Sequence, residues 1–243
     1  GSMQEYVLKA IELGIDIYGF SDHAPMSFDQ KYRMTFKQKQ SYEIEVLKLK
    51  EQYKNQIKIL LGYEVDYLAN HISKDVLNSK VDYLIGSVHF IKEWGFDNPE
   101  FIGAYKNKNI DLIWEEYFEA IRLMAKSKLF DIVGHIDLIK VFNFLPKKDI
   151  KQIVQPALNQ IKDSKMVLEL NPAGLRKPIK EQYPSRDIIE LAYELDIPIT
   201  FGSDAHEIEQ IGFEYESISS IAKSVGYTQC MTFENRDREL IPF

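Results

Sequence analysis

The chain is poor in the features that most often announce a function. It holds one cysteine, Cys230, so no internal disulfide can form, and a reducing, cytoplasmic setting is expected. No apolar run approaches the roughly 20 residues that a membrane span requires. The first residues carry no basic stretch followed by an apolar one, which argues against an export signal. Positive charge is short as well: 30 lysines and arginines face 37 aspartates and glutamates, and a net charge of −7 does not suit a nucleic-acid-binding surface. The phosphate loop Gly-x-x-x-x-Gly-Lys-Ser/Thr, the dinucleotide fingerprint Gly-x-Gly-x-x-Gly and the nucleophile elbow Gly-x-Ser-x-Gly are all absent. No repeat, low-complexity tract or Ser/Gly linker divides the chain.

What is present reads as one α/β domain spanning residues 1–243. A chain of this length buries about three quarters of its unfolded surface, enough for one core without disulfides. Met3, Val7, Ala10 and Ile11 share one helical face, and Gly14 follows as a helix stop. Ile15 to Phe20 reads as a strand, and 26–40 as a loop over one mouth of the fold. Ser41 to Gln56 reads as a helix with Ile44, Leu47 and Tyr53 inward. Strands are expected at Lys58 to Tyr63, Val81 to Val88, Phe130 to Gly134, Met166 to Leu170, Ile197 to Phe201 and Gln229 to Phe233. Helices fall between them: a short piece at Val76 to Ser79, an amphipathic one from Ile113 to Ala125, one through Ile150 and Ile161 that Pro156 should kink or divide, one from Asp187 capped by Ser185, and one over Ile218 to Val225. The long connection from Phe90 to Ile110 has the composition of a binding loop. Strands alternating with helices at this rhythm indicate a parallel sheet, open or closed into a barrel, with its chemistry at the carboxyl ends of the strands.

Histidine is scarce too, at five residues, yet His23, His89, His135 and His206 all fall at or just beyond strand ends. Glu64 holds the matching place after its strand. In Gly202-Ser203-Asp204-Ala205-His206 a carboxylate and an imidazole stand two apart, which on extended backbone puts them on one face. A carboxylate among histidines can bridge two divalent cations, and this mixture of oxygen and nitrogen admits Zn, Mn or Fe. Each residue also has a plainer reading, as a hydrogen-bonded core histidine or, for His23, a loop residue bonded to Asp22. His71 reads as surface. Arg176, in the Gly/Pro-rich stretch after Asn171, offers a planar fork for phosphate, and Lys140 is a second cation on the same rim; both equally fit solvated surface charge.

Taken in order, Ser21-Asp22-His23-Ala24-Pro25, Gly62-Tyr63-Glu64, Gly86-Ser87-Val88-His89-Phe90, Gly134-His135-Ile136-Asp137, Asn171-Pro172-Ala173-Gly174-Leu175-Arg176 and Gly202-Ser203-Asp204-Ala205-His206 resemble the polymerase-and-histidinol-phosphatase (PHP) superfamily. Within it the chain is most similar to the histidinol-phosphate phosphatases, a likeness that Trp94-Gly95-Phe96-Asp97 extends. The resemblance implies a distorted (β/α)7 TIM-like barrel with up to three divalent metals. Glu64 would bridge two of them, His89 and His135 would complete the second site, Asp204 would serve the first, and His23 with His206 the third. Asp204 and His206 would be catalytic, and Arg176 with Lys140 would hold the phosphate of a small phosphorylated substrate. The family's first strand carries a His-x-His pair, and no His-x-His occurs here. A missing first strand is therefore expected, with fewer metals bound, reduced activity and a homodimer formed through the open edge. Three alternatives remain: a PHP-like phosphoesterase acting on another small phosphoester, C–N bond hydrolysis at the same metal site, and a non-catalytic barrel that binds a phosphorylated ligand or a partner.

Overall fold

A computed structural model describes all 243 residues. The chain opens in helix α1 (Met3–Glu12), capped by Ser2 and ended by Gly14 at φ 71°. Strand β1 (Ile17–Phe20) follows, and then helix α2 (Phe36–Gln52). Strand β2 (Lys58–Asp66), the short helix α3 (Lys74–Leu77) and β3 (Tyr83–Ser87) come next. The expected binding loop contains a small hairpin, β4 (Phe90–Ile91) with β5 (Trp94–Gly95), and leads into α4 (Ile110–Ser127). The chain continues through β6 (Ile132–Val133), α5 (Ile150–Asp163), β7 (Val167–Leu170), α6 (Arg186–Glu194), β8 (Ile199–Phe201) and α7 (Tyr215–Val225). It closes in an antiparallel hairpin of β9 (Gln229–Glu234) and β10 (Asp237–Pro242). No helix is long and apolar enough to cross a membrane.

The expected distorted barrel is present as an open, curled sheet of six parallel strands in the order β1-β2-β3-β6-β7-β8. Alternation along these strands sorts side chains between two environments. On β2, Ile59, Leu61, Tyr63 and Val65 join the large core under the helices. Leu60 points the other way, into a smaller cluster with Tyr83, Ile85, Ile132, Val167 and Phe233. That second cluster fills the concave side of the sheet. Phe233 of β9 belongs to it, and the hairpin turn is fastened at the starts of the neighbouring strands. Asn235 donates its N–H to Asp82 Oδ1 (3.1 Å), and Arg236 Nε donates to Asp131 Oδ2 (2.8 Å). The hairpin therefore plugs the amino-terminal end of the half-barrel and leaves the carboxyl end free for chemistry.

Local expectations at three helices need correction. Helix α2 begins at Phe36, inside the stretch read as loop, because Thr35 and Gln38 form a capping box that fixes its first turn. Its inward face is Tyr42, Val46 and Leu49, continued by Tyr53, whereas Ile44 and Leu47 are 59% and 52% exposed. Helix α5 runs unbroken past Pro156, which sits on its exposed side, where water can take up the carbonyl that proline leaves unpaired. Ser185 is the N-cap of α6 but makes no side-chain capping bond.

The α2 assignment is open to direct test. Leu49→Ala should destabilise the protein by about 2–5 kcal/mol in urea melts through the cavity it leaves. Leu47→Ala should stay within about 0.5 kcal/mol of wild type. Equal effects would mean that the helix is rotated from the described face.

Candidate metal centre

The centre is built on β2. Leu60 and Glu64 lie four residues apart, so strand alternation puts them on the same, concave face. Glu64 stands above that apolar cluster, toward the carboxyl end. Asp22–Ala24 runs beside it as a continuation of the β1–β2 pairing: the Ala24 N–H donates to Glu64 O (2.8 Å), and the Glu64 N–H to Asp22 O (3.2 Å). This register fixes His23 against Glu64, with Nδ1 at 3.7 Å from Oε2. His89, just past β3, and His135, just past β6, complete the ring. Their Nε2 atoms lie 3.5 Å and 3.0 Å from Glu64 Oε1. The imidazoles of His23 and His89 are 5.3 Å apart, and those of His89 and His135 are 5.0 Å apart.

Burial would raise the Glu64 carboxyl, but His23, His135 and His89 outweigh it and hold that carboxyl well below its ordinary range. The same forces act in reverse on the rings. Burial lowers His89, yet Asp66, Asp97 and Glu64 together carry it up to about 10. His135 is raised as well, against its burial, chiefly by its bond to Glu64. Without metal, the buried carboxylate favours a proton on His89 and on His135. The centre is a place built for positive charge, and a divalent cation would displace those protons.

The donors fit such an ion. Glu64, His89 and His135 each offer one atom within 4.8 Å of the others, as do His23, Asp66 and His89. His23 Nδ1 is buried without a hydrogen-bond partner, facing Glu64. Three ligands of mixed nitrogen and oxygen are what a catalytic zinc commonly takes.

Asp204 and His206 are arranged differently from the strand-end pair expected. Strand β8 ends at Phe201, and Asp204 adopts φ 47°, so the alternation that would aim both residues one way is lost. They form a local pair at the mouth: His206 Nδ1 lies 3.4 Å from Asp204 Oδ1, and the His206 side chain is 66% exposed. Neither joins the three-donor groups. His71 is half-buried beside Phe28 and 3.4 Å from Ser27 Oγ, away from the centre.

The two expected phosphate cations part company. Arg176 Nη2 donates to the carbonyls of Ser203 and Asp204, both at 2.9 Å, and its guanidinium lies over the Phe213 ring; Nη1 is buried without a partner. Lys140 is not a rim cation. Its buried ammonium is enclosed by Asp137 Oδ2 (2.8 Å), Glu181 Oε2 (2.7 Å) and the carbonyl of Gln182 (2.7 Å). It ties two segments of the barrel together and has no donor left for phosphate.

Three residues escaped the sequence reading. Asp66, at the end of β2, lies 2.6 Å from His89 Nδ1. Glu169, inside β7, accepts the His135 N–H (2.8 Å) and an amide hydrogen of Asn171 (3.2 Å). A Cβ at residue 202 would stand 2.1 Å from the Glu169 carboxylate, which explains the glycine there. Tyr183 has a buried hydroxyl with no partner, its ring 6.3 Å from that of His135. Asp66 and Glu169 did leave a signal: an acid on the concave face of an apolar strand, in phase with Leu60 or Val167.

The chain and its fold are similar to known proteins. A model of the PHP domain matches residues 1–173, and one described as PHP-associated matches 185–218. The chain belongs to the PHP domain family. Among its relatives is a Deinococcus radiodurans protein named "Probable histidinol-phosphatase", 33% identical over 97% of this chain and 92% of that one. The histidinol-phosphatase of Bacillus subtilis is 29% identical over 89% of this chain and 91% of its own length. A candidate histidinol phosphatase from Listeria monocytogenes superposes with a TM-score of 0.78 at 28% identity, covering 89% of this chain and 93% of that one. The Lactococcus lactis histidinol phosphate phosphatase, solved with Zn, L-histidinol and phosphate, shares the fold with a TM-score of 0.80 at 20% identity, over 98% and 92% of the two chains.

Glu169 supplies a test of the electrostatics. Burial pushes its carboxyl up to about 7, against the pull of His135, so the folded protein keeps a proton that the unfolded chain loses near pH 4.3. The stability gained from that proton is full below the unfolded value and lost as pH rises through about 7. In urea melts of metal-free protein, wild type should therefore lose on the order of 2 kcal/mol relative to Glu169→Gln between pH 4.5 and 7.5. Parallel pH profiles would contradict the assignment.

Proposed function

We propose that this protein is a metal-dependent phosphatase of small phosphomonoesters, with histidinol phosphate as its substrate. The observation that carries the reading is the Glu64–His89–His135 cluster at the carboxyl end of the half-barrel, in a chain whose relatives along nearly their full length are named for that reaction. Divalent metal, when bound, supplies Lewis acidity toward water and the phosphoryl oxygens. Glu64, His89 and His135 would hold it, with His23 beside them. Zn, Mn and Fe all suit these donors.

The rest of the rim favours an anion. Arg176 Nη1 is a free donor on a guanidinium whose other nitrogen already braces the 203–204 backbone, so it is held in place before substrate arrives. The Tyr183 hydroxyl is a second free donor on the same loop. Fixed donors aimed at phosphoryl oxygens stabilise charge as it builds in the transition state, without reorganisation. Asp204 and His206, paired at the mouth, would hold a further cation or move a proton to the leaving oxygen. C–N hydrolysis through a bridging lysine carbamate loses support because Lys140 is enclosed in its ion pairs. The outer edge of β1 has no strand partner, which supports self-association there, and lone Cys230 is buried and free, in keeping with a cytoplasmic setting.

Phosphate release should be measured on histidinol phosphate, a sugar phosphate and a nucleotide in the presence of Mn or Zn. Histidinol phosphate should be the preferred substrate. Glu64→Gln should lower kcat/KM by at least about 100-fold, and Arg176→Met should cost about 100- to 1000-fold, the range typical of losing one charge-stabilising donor. No release from any of the three with metal bound, or full activity in Glu64→Gln, would overturn the reading.

A further inference from the structure

We infer that Asp66 and Arg33 form a positioning relay, which fixes the His89 ring for metal and clamps the 27–35 segment to the metal centre. The inference rests on the metal-site reading of Glu64, His89 and His135, and is independent of the substrate.

Asp66 lies two residues past Glu64, on the same face of β2, and is 2% exposed. Both of its oxygens are committed. Oδ1 sits 2.6 Å from His89 Nδ1, and Oδ2 accepts from Arg33 Nη1 at 2.6 Å. Arg33, whose side chain is only 4% exposed, also donates Nε to the carbonyl of Asp29 (2.6 Å) and holds Nη2 3.6 Å from Asp29 Oδ2. One guanidinium thus joins a surface loop to a buried carboxylate, and that carboxylate joins it to the ring.

The consequence for His89 is chemical. A carboxylate on Nδ1 requires a proton there, which leaves Nε2 as the ligand atom, and Nε2 is the nitrogen that faces Glu64. Ring orientation and tautomer are set together. A carboxylate behind a metal-binding histidine also makes the ring a stronger donor. Burying an aspartate and an arginine brings little net stability, because desolvation consumes most of what their attraction returns. A role in the metal centre accounts for their presence better than stability does. His23, Asp66 and His89 could instead surround a cation directly, but that would require Asp66 to release one of its two partners.

The loop shares this arrangement. The Met34 N–H donates to His23 O (3.4 Å), so the segment anchored by Arg33 also returns beside His23. Metal binding should therefore order 27–35 as well as the ring.

The test uses the full chain loaded with Zn. In wild type, long-range 1H–15N NMR of the histidine side chains should show His89 protonated at Nδ1 and coordinated through Nε2. Coordination through Nδ1 would overturn the proposal without recourse to any variant. In chelator competition, Asp66→Asn should weaken Zn binding by about 10- to 100-fold with an unchanged number of ions bound. Arg33→Met should weaken it several-fold and speed proteolysis within 27–35, whereas Arg33→Lys should restore most of the affinity. Unchanged affinity in both Asp66→Asn and Arg33→Met would reduce the relay to a structural contact. Loss of one whole ion in Asp66→Asn would make Asp66 a ligand and also overturn the proposal. None of these readouts needs turnover, so a failure to hydrolyse histidinol phosphate with Zn binding intact would remove the substrate reading and leave the relay standing.

Discussion

Everything at the carboxyl end of this sheet is arranged around one buried carboxylate. Glu64 lies toward the open, carboxyl end of a concave surface filled below by Leu60, Ile85, Ile132 and Val167, where a lone negative charge would be costly. Its compensation is three imidazoles brought from three separate segments. None is near it in sequence, so the centre exists only if β1, β2, β3 and β6 hold their register. The fold and the site are in this sense one constraint. The β9–β10 hairpin serves it from the opposite end by closing the half-barrel beneath the apolar layer.

A second tier of carboxylates keeps the first in order. Asp66 stands behind His89, and Glu169 holds the backbone of His135 through its N–H. These two acids have opposite electrostatic fates. Asp66, between His89 and Arg33, is driven down to about 2, while Glu169, buried with weaker compensation, rises to about 7. One acts as a fixed charge, and the other as a brace that gives up its proton as pH rises through about 7. The difference follows from the cations each one meets, since both are buried to a similar degree.

Much of this was legible in the chain itself. Parallel strands separated by helices, and the placement of Glu64, His89 and His135 at their ends, follow from hydrophobic rhythm and from where the polar residues interrupt it. The misreadings have physical causes. Ile44 and Leu47 looked like a core face because α2 carries apolar residues on two sides, and only its packing decides between them. The strand alternation expected to align Asp204 and His206 stops where Asp204 enters the left-handed region, although the two side chains still meet as a pair. Lys140 looked like a free cation because its partner Glu181 is distant in sequence and meets it only in the folded barrel. Asp66 lies beyond the strand expected at Lys58 to Tyr63, and Glu169 lies inside an apolar one, although their phase with Leu60 and Val167 marks both as facing the site.

The central claim is that Glu64, His89 and His135 together hold a divalent metal. Anomalous scattering from crystals grown with Zn or Mn tests it most directly. The strongest anomalous peak should lie about 2.0–2.2 Å from Nε2 of His89, Nε2 of His135 and a carboxylate oxygen of Glu64. A map with no peak at that position, or with metal bound only beside Asp204 and His206, would contradict it.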